Sequence, residues 1–185
     1  MEERKLSRNL FSASEMLTLP NGLSLVRLIL SFFIYYLIFN RQTYPALIIT
    51  LVAMSTDYFD GLFARKLNQI SEWGKILDPV ADKFCVGLGA LALYYSYGLP
   101  LWVVIVIIGR DVLILLGAAL LAGKLGNVVP SAWPGKIAVF VISVMLLAYL
   151  LNVEWLQKPL EYLAIVAIVV SFSDYLYRAI SKLKR

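Results

Sequence analysis

The chain contains no histidine. That absence excludes Ser-His-Asp and Cys-His catalysis, histidine-ligated zinc and phospholipase D-type histidine chemistry. The one cysteine, Cys85, rules out an intrachain disulfide or a thiolate cluster. It follows Asp82 by one turn in an apolar run, which reads as a small packed residue rather than a redox centre. Charge is scarce too: 16% of the 185 residues are charged and 61% are hydrophobic, with a mean hydropathy of +0.79. Soluble domains carry about a quarter charged residues, so a soluble globule is not expected. The net charge of +5 is accounted for by basic cytoplasmic loops facing anionic lipid, with no nucleic-acid partner. What remains is carboxylate, lysine and arginine chemistry in a membrane.

The first segment, Glu2 to Leu17, lacks the layout of a signal peptide. Leu6, Leu10, Ala13 and Leu17 recur at helical spacing beside Arg4, Lys5 and Arg8, which predicts an interfacial amphipathic helix over residues 1–18. Six apolar stretches follow, at about Pro20–Phe39, Tyr44–Leu67, Gly74–Tyr97, Leu101–Gly123, Gly135–Leu151 and Trp155–Ile180. A Pro-Asn-Gly breaker opens the first, and a loop over Gly126–Pro134 precedes the fifth. Each stretch is near or above the roughly 20 residues that a spanning helix needs. The expected fold is all-α: one domain over 1–185, with six transmembrane helices over 19–185. Lysine and arginine crowd the N-terminus, the loops after the second and fourth stretches and the C-terminus, while Arg41 and Lys158 alone mark the other side. Both termini are therefore expected in the cytoplasm, the membrane being the cytoplasmic (inner) one. Trp102, Trp133 and Trp155 fall near span ends, as in an interfacial belt. Gly87 and Gly89 would admit close helix packing or a homodimer contact.

Four carboxylates, Asp57, Asp60, Asp78 and Asp82, interrupt the second and third stretches. Each central Asp costs about 2.5–3.5 kcal/mol to insert, so they must face a polar cavity and something positive must compensate them. On a helix, Asp57, Asp60, Gly61, Ala64 and Arg65 fall within an arc of roughly 140°. Gly74, Asp78 and Asp82 line one stripe of the next helix, with Pro79 disturbing its register. Gly61, Ala64 and Gly74 remove bulk beside the acids. Oxygen donors in this number suit hard divalent cations such as Mg²⁺ or Mn²⁺. Two such ions would clamp a pyrophosphate, with Arg65 gripping a phosphate oxygen. Two other readings stand beside this one: an ion or proton path through a transporter, and Asp–Arg pairing with no chemistry.

The run from Asp57 to Asp82 reads D-x2-D-G-x2-A-R-x8-G-x3-D-x3-D without a departure. It resembles the signature of the CDP-alcohol phosphatidyltransferase family, and chain length, span number and the juxtamembrane helix are similar as well. The resemblance implies that Asp57, Asp60 and Asp78 bind divalent metal, with Asp57 and Asp78 bridging two ions. It implies that Asp82 contacts the second ion and is the general base on the acceptor hydroxyl. Gly61, Ala64, Arg65 and Gly74 would line the site of the CDP-linked lipid, with Ser71 adding a polar contact and Pro20 and Asn21 forming a nucleotide-side wall. The implied reaction transfers a phosphatidyl group from CDP-diacylglycerol to an alcohol and releases CMP.

Arg110 and Asp111 interrupt the fourth stretch, Lys136 follows Gly135, and Arg178 lies one turn beyond Asp174. Arg110, Lys136 and Arg178 could form a cationic pocket for an acceptor phosphate. Alternatively Arg110 salt-bridges within the bundle, Arg178 pairs with Asp174 and Lys136 snorkels to the interface. The Pro20–Arg27 opening, Asp78–Lys83 and Ser173–Tyr175 are similar to the phosphatidylglycerophosphate synthases of this family, which implies sn-glycerol 3-phosphate as acceptor. Gly109–Val112 is similar to its cardiolipin synthases, which would take phosphatidylglycerol instead.

Overall fold

The computed structural model describes residues 19–67, 74–125 and 133–183, with side chains over 21–55, 77–117 and 133–181. The interfacial helix expected over 1–18 and Ser71 lie outside the described residues. Within them the chain is all-helical, with six helices: α1 Leu19–Phe39, α2 Thr43–Leu67, α3 Gly74–Tyr97, α4 Leu101–Leu125, α5 Trp133–Leu150 and α6 Glu154–Leu183. Their bounds follow the six apolar stretches to within a few residues, with two differences. Pro20-Asn21-Gly22 is the first turn of α1 rather than a break before it, and α5 starts at Trp133, so that Pro134 is already helical. Proline is tolerated there because the first-turn N–H groups have no intrahelical acceptor.

Two compact units, Met1–Gly89 and Ala90–Arg185, divide the chain within α3. In the first unit α1 packs along α2, on which Ala46 and Ala53 are buried. The burial of α1 is inverted relative to a soluble helix. Asn21, Ser24, Arg27 and Ser31 are buried, while Ile29, Phe32, Phe33 and Tyr36 point outward, Phe33 at 58% exposure. Water would penalise that arrangement and a hydrocarbon surround favours it, since polar groups in lipid turn to the protein interior. Among the described residues, three helices offer segments long and apolar enough to cross a bilayer, at Asn21–Phe39, Trp133–Leu150 and Glu154–Ser181, and α2 contributes a shorter apolar stretch, Thr43–Ser55. At 1.5 Å per residue α1 is about 32 Å long, the thickness of a hydrocarbon core. Trp102, Trp133 and Trp155 are all exposed, as an interfacial belt requires.

In the second unit α5 packs on α6, and α4 also packs on α6. Buried positions Ala138, Ile142, Met145 and Tyr149 on α5, and Glu161, Ala164, Ile168 and Ser171 on α6, alternate at steps of three and four residues, the knobs-into-holes period. Near the α5–α6 turn, Tyr149 donates its hydroxyl to Glu161, and Lys158 Nζ reaches the Glu161 carboxylate oxygens at 3.0 and 3.2 Å. A buried carboxylate thus has two partners, as burial demands. Paired backbone bonds of the Schellman type close both α1 and α5. Gln42 N–H meets Leu37 C=O at 2.8 Å and Arg41 N–H meets Ile38 C=O at 2.9 Å. Val153 N–H meets Ala148 C=O at 2.9 Å and Asn152 N–H meets Tyr149 C=O at 3.0 Å. Arg41 and Asn152 take positive φ, 56° and 53°, to make these turns.

The α4–α6 seam depends on Gly117. A Cβ at that position would lie 2.6 Å from the Tyr175 hydroxyl oxygen and 3.1 Å from its Cε1, while the Tyr175 hydroxyl donates to Ile114 C=O at 3.3 Å. Gly117→Ala should therefore lower stability by about 1 kcal/mol, the low end of overpacking costs. That corresponds to roughly 2–4 °C in a thermal melt of the purified protein. The same substitution in a Tyr175→Leu chain should be close to neutral, because leucine stops short of the clash. A Gly117→Ala melt at the parental temperature would show that Tyr175 has room to move.

Candidate active site

α3 runs through Pro79 without interruption, so Asp78 and Asp82 keep their one-turn spacing on one stripe. Asp78 is half-buried, and the side chain of Asp82 is 50% exposed. Both are met from α1. Ser24, fully buried, donates its hydroxyl to Asp78 Oδ1. Arg27, 3% exposed, forms a salt bridge from Nη1 to Asp82 Oδ1. A guanidinium buried to that extent costs several kcal/mol in lost hydration unless a carboxylate answers it. Conversely, Arg27 supplies a positive charge that the aspartates need. Asn21 is buried on the same side of α1, one turn before Ser24.

The backbone of α2 extends to Leu67 and so includes Asp57, Asp60, Gly61, Ala64 and Arg65, which the helical repeat places on one arc. Gly74 opens α3 and Pro20 lies in the first turn of α1. The side chains of these residues lie outside the described ones. Among the described residues, then, the expected acidic group is represented by Asp78 and Asp82, and no cluster of three metal-ligating side chains occurs. The donors are oxygen only, and the hydrogen bond from Ser24 engages one of the two oxygens of Asp78. Such donors fit a hard divalent cation.

In the second unit, Arg110 is 8% exposed. Its Nη1 reaches Asp111 Oδ1 at 2.6 Å and its Nη2 reaches Ser171 Oγ at 3.0 Å, while Nε is buried without a hydrogen-bond partner. Arg178 Nε meets Asp174 Oδ1 at 3.1 Å, one turn away on α6. Lys136 Nζ lies 5.5 Å from the ring centre of Trp133, a cation–π distance. Ser171 and Arg178 are seven residues apart and so share a face of α6. Lys136 is exposed on α5, with Trp133 as its aromatic neighbour.

Two residues of this site carry no role in the sequence reading, Ser24 and Arg27. Their signal is nevertheless visible there. Asn21, Ser24, Arg27 and Ser31 recur at helical spacing through an otherwise apolar stretch, and a polar stripe inside a membrane helix marks the side turned to protein. What the sequence does not give is the partner, since the contacts span 54 and 55 residues.

Comparison with known proteins gives the family of the chain. The profile of the CDP-alcohol phosphatidyltransferase family matches residues 17–172. A CDP-diacylglycerol–glycerol-3-phosphate 3-phosphatidyltransferase of Aquifex aeolicus is 34% identical over 168 residues, covering 86% of this chain and 94% of the relative. The Bacillus subtilis protein of the same name is 38% identical over 105 residues, 57% of this chain and 54% of that one. A cardiolipin synthase (CMP-forming) of Streptomyces coelicolor is 33% identical over 112 residues, covering 57% and 52%.

Proposed function

This chain belongs to the CDP-alcohol phosphatidyltransferase family, and from that premise we infer that it transfers the phosphatidyl group of CDP-diacylglycerol to sn-glycerol 3-phosphate, releasing CMP. The observation that carries the reading is the unbroken eight-position motif from Asp57 to Asp82, whose last two aspartates share one stripe of α3. The acceptor follows from the Aquifex relative, matched over 94% of its length. Both units are read as parts of one transferase domain, because the family match crosses the boundary between them.

Asp57, Asp60, Asp78 and Asp82 are the candidate ligands of two Mg²⁺ or Mn²⁺ ions, which would neutralise the pyrophosphate charge that develops as CMP leaves. Arg65 grips a phosphate oxygen, and Gly61, Ala64 and Gly74 admit the CDP group, with Pro20, Asn21 and Ser71 at its edge. Asp82, half exposed, takes the proton of the acceptor hydroxyl. The freed oxygen attacks the lipid-side phosphorus, the new P–O bond forms, and the pyrophosphate P–O bond breaks toward CMP. Arg110, Lys136 and Arg178 are assigned to the acceptor phosphate. Arg110 supports this with a buried Nε that no protein group engages, and Arg178 with an ion pair that is only part-buried. The six helices are read as six membrane crossings in the cytoplasmic membrane with both termini inside, on the lysine and arginine distribution. A homodimer through Gly87 and Gly89 is compatible with this arrangement.

The test is CMP release by the purified chain from CDP-diacylglycerol, with Mg²⁺ or Mn²⁺ and a panel of acceptors. Release that requires glycerol 3-phosphate is expected. Release with phosphatidylglycerol alone would keep the chemistry and replace the acceptor, making this a cardiolipin synthase.

A further inference from the structure

Ser24 and Arg27 stand one turn apart on α1, and their partners Asp78 and Asp82 stand one turn apart on α3. The two contacts therefore form successive rungs between the same two helices. They are not symmetrical in burial. The donors on α1 are enclosed, Ser24 completely and Arg27 to 3%, whereas Asp82 is 50% exposed and Asp78 is half-buried. A pair serving only to join two helices is expected to bury both partners. Here an enclosed donor on α1 meets Oδ1 of each carboxylate, while the carboxylates themselves keep part of their surface exposed. The Arg27 guanidinium has no lone pair to offer a cation, and the Ser24 hydroxyl is turned to Asp78 as a donor.

We propose that Ser24 and Arg27 are positioning residues, a rear wall on α1 that fixes the orientation in which Asp78 and Asp82 meet the divalent cation and the acceptor hydroxyl. The proposal rests on the functional reading above and assigns to the first membrane helix a part in the reaction distinct from nucleotide contact. Groups that orient metal ligands from behind are typically worth 10–100-fold in metal affinity or activity. The planar fork of arginine fixes a carboxylate plane in a way that the single charge of lysine does not.

The full chain in detergent tests it, with Ser24→Ala, Arg27→Lys and Arg27→Met beside the parent. Folding is monitored by thermal melting and Mn²⁺ binding by electron paramagnetic resonance. Ser24→Ala removes one hydroxyl and should weaken Mn²⁺ binding about tenfold, a readout independent of turnover. Arg27→Met should lower kcat about 10–100-fold while KM for CDP-diacylglycerol stays within about twofold, and Arg27→Lys should recover part of the loss. Parental Mn²⁺ affinity in Ser24→Ala would overturn the assignment of Ser24. Parental kcat in folded Arg27→Met, or equal losses in the Lys and Met variants, would overturn that of Arg27. If Arg27→Met does not fold, the Mn²⁺ affinity of Ser24→Ala decides the proposal. Failure of the functional reading looks different: the parent itself would release no CMP with any acceptor.

Discussion

Asp82→Asn is expected to lower kcat for CMP release by about 10²–10⁴-fold, the contribution of a positioned general base. Asparagine keeps the size and most hydrogen bonds of the side chain but cannot take the acceptor proton. The structure adds a second consequence. Arg27 is buried and forms a salt bridge with Asp82, so the substitution removes that negative charge from a cation already stripped of water. Breaking a fully buried pair costs about 3–5 kcal/mol, and less is expected here because Asp82 is half exposed. Lost activity and lost stability would then appear together in the single variant. The double variant Arg27→Met/Asp82→Asn separates them: its melting temperature should recover toward the parent while CMP release stays down. Recovery of turnover in the double variant would show that Asp82 serves the fold and not the proton transfer.

The second large effect concerns the metal. Chelation with EDTA is expected to reduce CMP release by at least about 10³-fold, with Mg²⁺ or Mn²⁺ restoring it, because divalent ions typically supply several kcal/mol of transition-state stabilisation and each 1.36 kcal/mol is tenfold in rate. The argument begins with the cost of four aspartates in apolar helices, about 2.5–3.5 kcal/mol each at mid-membrane. Arg27 compensates one of them in the described part of the structure. Asp78 receives a hydroxyl from Ser24, which orients it without neutralising it. On the proposed reading a divalent cation would meet the charge of the other aspartates, and all-oxygen donors would suit a hard one. CMP release in EDTA within twofold of the untreated rate would contradict this.

Much of this architecture is legible in the sequence because a bilayer imposes a simple rule on composition. Apolar runs announce the helices α1 to α6, and α3 occupies Gly74–Tyr97, the bounds expected for it. The misplaced edges occur at prolines: Pro20 and Pro134 punctuate the chain in sequence but sit inside first turns, where a missing N–H costs nothing. The aspartates are legible for the opposite reason, as charges that hydrocarbon rejects. Arg27 follows the same rule and is visible as an oddity in an apolar helix, yet its pairing with Asp82 depends on the rotation of α1 relative to α3. Local periodicity does not determine that. The fit of Tyr175 over Gly117 is likewise a property of two helix faces meeting. For Arg178 and Lys136 the sequence allows both a phosphate pocket and local pairing. The structure places Arg178 on Asp174 and Lys136 beside Trp133, so an acceptor phosphate would compete with these local partners.

The central claim is phosphatidyl transfer to glycerol 3-phosphate, and the most direct measurement is the mass of the lipid made by the purified chain. CDP-diacylglycerol is supplied with isotopically labelled glycerol 3-phosphate and Mg²⁺, and lipid and nucleotide products are quantified together. The account predicts phosphatidylglycerophosphate carrying the whole label, with one CMP released per labelled lipid. CMP without labelled lipid, labelled lipid of another mass, or cation flux across sealed vesicles with no product at all would contradict it.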